Sequence, residues 1–301
     1  MSLSMHFAAK ATALLFSAIL LMACGRSGNP APPSHAAKQD NFGIPPDAKI
    51  VHTAHYKIYS TATGEQTEKV STAVEALYGA YVSQFGSKVL GERLELVLYK
   101  DQEQFRANNR SKPWAEAYYR TPRCYAYFAE SDNPYHWMIH EATHQLLREL
   151  SDYQPAKWVN EGVASYFGAS KVAGSVLQPG SIDPAAYPIW WLSSFDLSGS
   201  LERDIGSGKI IPLRQLITDT GPDINLHVNL YYIHYWSLSH FLFHYRDGHY
   251  AARFKELIVL GGSLGDFERL IGPVDKVQSE WYGYLMQQAQ SAGGGDVQVG
   301  P

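Results

Sequence analysis

The chain is poor in cysteine and in charge. Of its 301 residues two are Cys, and Asp, Glu, Lys and Arg together make up 18%. Two cysteines exclude a disulfide-stapled scaffold and a multi-cysteine zinc module. A net charge of −4 excludes the basic field that would hold a nucleic-acid backbone, so no nucleic-acid partner is expected. No internal repeat is visible. What is plentiful is apolar and aromatic: hydrophobic residues reach 45%, with 20 Tyr and 7 Trp. That composition excludes wholesale disorder and allows one large domain or two ordinary ones.

The one long apolar run, Ala11 to Ala23, follows Lys10 and is too short to span a membrane comfortably, which takes about 20 apolar residues. It reads as an export signal over residues 1–23. Its end, Leu21-Met22-Ala23-Cys24, resembles the bacterial lipoprotein cleavage box, which implies a lipid on Cys24. An ordinary secretory signal with an incidental cysteine is the alternative. Gly25 in place of Asp favours the outer membrane, with the protein facing the periplasm. Cys124 is then the remaining thiol, expected as a small buried residue of a strand.

Residues 24–46 are rich in Pro, Gly, Ser and Asn and read as a flexible tether, on the order of 70 Å when extended. Residues 291–301 are Gly-rich and read as a disordered tail, which leaves one folded domain over 47–290. Its front reads strand, helix, strand: His55 to Ser60, Glu65 to Phe85, Leu94 to Tyr99. A short helix with an acidic cap follows (Asp101 to Ala107), then a hairpin from Ala117 to Phe128 around Thr121-Pro122. Asp132-Asn133-Pro134 reads as a capped helix start, with the helix reaching Leu150. Pro155 opens the next helix, through Gly168. Residues 169–211 carry no clear period. Helices are expected over Pro212 to Thr218, Asn229 to Tyr245, Tyr250 to Leu260 and Val274 to Ala289. The expected class is α+β, a small N-terminal mixed sheet with an active-site helix and a helical C-terminal body.

The segment that carries chemistry is His140-Glu141-Ala142-Thr143-His144. Two histidines four apart share one helix face, with Cβ atoms about 6 Å apart. Both imidazoles can then reach one Zn²⁺ at ~2.0 Å. Glu141 stands beside the metal, where a general base for water belongs. The following helix brings Glu161, and two helices joined by a short loop pack antiparallel, so Glu161 can complete a His₂Glu set.

These residues resemble a known family. HEATHQLL (140–147) followed by Pro155-x-x-Trp158-x-x-Glu161-Gly162-x-Ala164-x-Tyr166 is similar to the gluzincin zinc metallopeptidases of the peptidase MA-like superfamily, especially one bacterial group. Segments 208–216 and 232–242 look like later parts of that family. The resemblance implies a zincin-like fold, Zn²⁺ on His140, His144 and Glu161, and Glu141 as catalytic base. It also implies an edge strand, one run of the 117–128 hairpin, that pairs with an extended peptide or protein substrate. Many gluzincins carry an acidic residue four positions after the ligand Glu. Here that position is Ser165, whose hydroxyl can accept from a ligand histidine, and Asn160 is the other residue expected behind the ligands. The glycine-rich exopeptidase signature is absent, which favours an endopeptidase.

Tyr232 is the candidate donor to the oxyanion, with His234 as rival and helix packing as the alternative. His240 and His244 repeat the four-residue spacing without a neighbouring base, and are expected as packing or surface histidines. Trp190-Trp191 is expected to anchor a loop or core ahead of lining a substrate wall. The expectation is a zinc peptidase anchored in a bacterial envelope. The alternative is a catalytically inactive zinc-binding lipoprotein that acts in envelope assembly or as an interaction module.

Overall fold

The computed structural model describes residues 41–86, 88, 90–109, 111 and 115–293. The expected export segment, Cys24 and most of the tether and tail lie outside them. Strand β1 (Lys49–His52) leads into β2 (Tyr56–Ser60), helix α1 (Gly64–Phe85) and β3 (Leu94–Tyr99). Helix α2 (Gln102–Asn108) precedes the hairpin β4 (Tyr118–Arg120) and β5 (Arg123–Tyr127). The strands form one mixed sheet in the order β1-β2-β3-β5-β4, with β2, β3 and β5 parallel and both outer pairs antiparallel. Strand β4 is therefore an edge.

Local chemistry explains the front half. Thr63 caps α1: its hydroxyl accepts from the Gln66 N–H, and the Gln66 side chain accepts from the Thr63 N–H. Apolar residues of α1 at helical spacing, Val70, Val74, Leu77 and Tyr81, are buried against Ile58, Leu96 and Leu98. Alternate strand residues turn to the other face, where Tyr59, Val97, Tyr99 and Tyr125 form a smaller aromatic cluster with Phe105. The carbonyls of Phe42 and Gly43 accept from the Tyr125 and Tyr99 hydroxyls. Packing therefore extends into the segment expected as tether. Cys124 is fully buried in β5.

Helix α3 (His136–Gln145) lies against the sheet and continues as one wider π-helical turn, Leu146–Leu150. Its Gln145 side chain donates to the carbonyls of Glu95 and Pro122 at 3.1 and 2.6 Å, which ties α3 to β3 and to the β4–β5 turn. The helix starts later than its sequence suggests. Tyr135 is the N-cap and gives no side-chain cap. Asn133 is instead fully buried, and its amide donates to Asp183 at 2.9 Å while its carbonyl accepts from His136 Nδ1 at 2.6 Å. A tertiary partner has taken the capping side chain.

The back half is helical: α4 (Lys157–Gly168), α5 (Ile189–Leu192), α6 (Leu201–Gly206), α7 (Leu213–Thr218), α8 (Val228–Gly248), α9 (Ala251–Val259), α10 (Leu264–Leu270) and α11 (Val274–Gly293). A two-stranded hairpin, β6 (Ser170–Ala173) with β7 (Val176–Ile182), follows α4. The helical path of α8 ends before Tyr245, where Arg246 and Asp247 take positive φ. The fold is α+β, a front sheet on a helical body. Helix α11 runs three residues past the expected boundary at 290. Among the described residues no helix is long and apolar enough to cross a membrane.

Candidate metal centre

Helices α3 and α4 pack antiparallel. Gly168 at the end of α4 meets His136 and His140, while Glu161 near its start faces His140 and His144. The close approach of α4 to α8 on its other side depends on Gly162. A Cβ there would collide with the Ser239 hydroxyl and come 2.9 Å from the Tyr235 carbonyl. The Glu-Gly pair thus combines a functional carboxylate with the absence of a side chain next to it.

Three donors converge. His140 Nε2 and His144 Nε2 are 3.2 Å apart, and Glu161 Oε2 lies 3.5 Å from the first and 3.7 Å from the second. The point equidistant from all three is about 2.0 Å from each, the bond length of a metal held by imidazole nitrogen and carboxylate oxygen. Both imidazoles are buried, and Glu161 Oε2 is buried with no well-aligned donor. Such a cluster of lone pairs costs free energy unless a cation draws them together. The residues therefore fit a metal ion, and among the described residues this is the one group of three or more His, Cys, Asp and Glu that does.

The two carboxylates of the site differ. Burial raises the Glu141 carboxyl to about 7; His144 pulls the other way, the charge of Glu161 pushes further up, and the Tyr119 backbone N–H, facing the carboxylate, lowers it. Glu161 meets the same penalty of burial, but His144 and His140 outweigh it and bring its carboxyl down to about 2. One is therefore fixed as an anion while the other can exchange a proton near neutrality.

Tyr232 from α8 lies across from the helix pair, its ring 6.0 Å from that of His140. Burial, then the charges of Glu161 and Glu141, push its phenol well above the usual tyrosine range. It keeps its hydrogen and can only be a donor to an anion. His140, Glu141, His144, Asn160, Glu161 and Tyr232 all border a cavity of about 530 Å³.

Other expected residues are placed elsewhere. Ser165 is buried, and its hydroxyl bonds to no ligand histidine, nor to any other group. His234 is a core residue, with Nδ1 donating to the Leu230 carbonyl and Nε2 accepting from the Ile211 N–H. It has no free donor for an oxyanion. His240 is held between the Tyr284 hydroxyl and the Gly180 carbonyl, and His244 Nε2 shares a hydrogen bond with the Tyr166 hydroxyl. These two pack, as their lack of an acidic neighbour suggests.

The tryptophan pair is not part of the core. Trp190 and Trp191 are 43% and 44% exposed and border a second cavity, of about 960 Å³, that meets the first at His140, Glu141 and Tyr232. Trp137, His136 and Tyr187 border it too and were not singled out from the sequence. Trp137 had a signal: it stands three residues before His140 and four before Glu141, on the same helical face. Tyr187 lay in the stretch without a period. No family model matches the chain, and no curated protein does.

Proposed function

We propose that this chain is a zinc-dependent peptidase. The observation that carries the reading is the triangle of His140, His144 and Glu161 donors, with a second carboxyl, Glu141, bordering the same cavity. His140, His144 and Glu161 would hold Zn²⁺, leaving a position open as catalytic sites do. When bound, the metal supplies a Lewis acid that polarises a carbonyl and makes water more acidic.

The chain's own residues do the rest. Glu141 accepts the proton of the attacking water at a carboxylate oxygen and returns it to the leaving amine. A carboxylate that reaches both the water and the leaving nitrogen serves both steps. Tyr232 donates its hydroxyl hydrogen to the oxyanion that develops on the substrate carbonyl. The edge strand β4 offers main-chain groups for an extended peptide: Ala117, Tyr118 and Tyr119 border the cleft. The export-like segment ending at Cys24 supports an address in a bacterial envelope, with the enzyme tethered to a membrane by lipid.

The test is hydrolysis of a peptide library by purified protein, read by mass spectrometry. Cleavage should vanish with a chelator and return on adding Zn²⁺. No cleavage by zinc-loaded protein would count against the reading.

A further inference from the structure

The larger cavity bears on which peptides the site would take. It begins at His140, Glu141 and Tyr232 and leads away past a wall of aromatic rings. Tyr187 is 5.4 Å from Tyr232, Trp190 is 5.7 Å from Tyr187, and Trp137 is 5.4 Å from Tyr187 and 6.2 Å from Trp190. The rings meet tilted or edge-to-face, the favourable arrangement for aromatic pairs. The wall is also fixed in place. The Tyr187 hydroxyl donates to Asn229 Oδ1 at 3.0 Å, and Trp190 meets the His136 ring edge-on at 5.5 Å.

Rigid, half-exposed tryptophans beside reactive groups are costly for a lone chain in water, and such surfaces mark binding sites. Behind the wall lies one unsatisfied polar group, closed off from solvent. His136 is almost fully buried and borders this lobe of the cleft. Its Nδ1 must carry the hydrogen, because its partner is the Asn133 carbonyl. Nε2 is then an acceptor, and it has no partner.

We propose that this lobe is a specificity subsite for a large aromatic side chain next to the bond to be cleaved, seated against Trp137, Tyr187 and Trp190. The inference rests on the peptidase reading for the identity of the bound chain. A peptide is favoured over a sugar ring by the edge strand. The Tyr119 N–H faces Glu141 and so points out of the sheet edge into the cleft. Ala117, two residues back on the same side of the alternating edge, borders both cavities. An extended peptide can pair there while its side chain enters the aromatic lobe; a glycan has no main chain to pair.

Binding separates this proposal from catalysis. The full chain carrying Glu141→Gln, loaded with zinc, is titrated by calorimetry with two peptides that are identical but for Tyr or Ala at one position. The peptide series moves that position residue by residue. At one position the Tyr peptide should bind at least about tenfold tighter, the scale set by burying one aromatic side chain. Adding Trp190→Ala should remove that preference, and Trp190→Phe should restore most of it, with zinc content unchanged. Equal binding of Tyr and Ala peptides at every position overturns the subsite, as does a preference that survives Trp190→Ala. Binding of chitooligosaccharide at this lobe, lost with Trp190→Ala, in the absence of peptide binding, overturns it in favour of a glycan. Failure of wild-type protein to cleave the Tyr peptide it binds would instead strike the peptidase reading and leave the subsite standing.

Discussion

Gly162 and Ser239 touch where α4 crosses α8, and no side chain fits between them. The contact sits one residue from Glu161, so the depth of α4 against α8 sets how far that carboxylate reaches toward His140 and His144.

Gly162→Ala should therefore do two things. The added methyl meets backbone as well as the Ser239 side chain, so α4 must move. Overpacking of this kind costs about 1–3 kcal/mol, seen as a lower melting temperature. Zinc affinity should fall with it, because three donors arranged about one point tolerate little displacement. Competition with a chelator measures the second effect. Unchanged affinity in a destabilised protein would mean that Glu161 is placed by something other than this contact.

Glu161→Ala should lose most of its zinc while staying folded, since two histidines from one helical turn hold the ion weakly and the core is large without it. Glu161→Gln should keep somewhat more, through a neutral amide oxygen. Elemental analysis after dialysis, with circular dichroism for the fold, gives the answer. Full zinc occupancy in folded Glu161→Ala would place the third ligand elsewhere.

Tyr232→Phe should lower kcat on the order of 10² with little change in KM and none in zinc content, because the lost hydrogen bond is made to the transition state alone. The ring and its contacts with Tyr187 and His140 remain. A wild-type kcat in this variant would return Tyr232 to a packing role.

The sheet beneath the site carries a pH-dependent pair. Burial disfavours the Glu95 anion, yet Arg123, Tyr59 and Lys57 more than offset this and hold its carboxyl below the usual range. A carboxyl whose folded pKa is depressed contributes stability that is present above its unfolded pKa, about 4.3, and lost as pH falls through the folded one. Glu95→Gln should cost about 2 kcal/mol at pH 7, since it leaves buried Arg123 with a weaker partner. The gap to wild type should narrow below about pH 4 as the wild-type carboxyl takes up its proton. Urea unfolding at pH 7 and pH 3 measures both. An equal gap at the two values would contradict the assignment.

Much of this structure could be read along the chain because local signals and tertiary packing agreed. The β2–α1–β3 unit has alternating strands and a capped helix with an apolar stripe. The metal residues need one helical turn and one short loop to meet, so His140, His144 and Glu161 were legible from spacing. Where the reading missed, tertiary partners had overridden local chemistry. Asn133 caps nothing because Asp183 takes its side chain. Helix α10 did carry a signal, a Ser263 cap accepting from the Asp266 N–H, but it is only seven residues long. Strand β1 is exposed throughout and shows no alternation. The aromatic wall was illegible for another reason. Trp137 comes from α3, Tyr187 from the loop after β7 and Trp190 from the short helix α5, and only the fold brings them together.

The central claim is that Glu141 moves the proton at a metal site it does not help to hold. Glu141→Gln is near in shape and cannot take a proton. The decisive measurement is peptide hydrolysis by this variant beside wild type, each with its zinc content determined on the same sample. The account predicts full zinc, an intact fold and turnover reduced to background. Turnover at the wild-type rate with full zinc would contradict it.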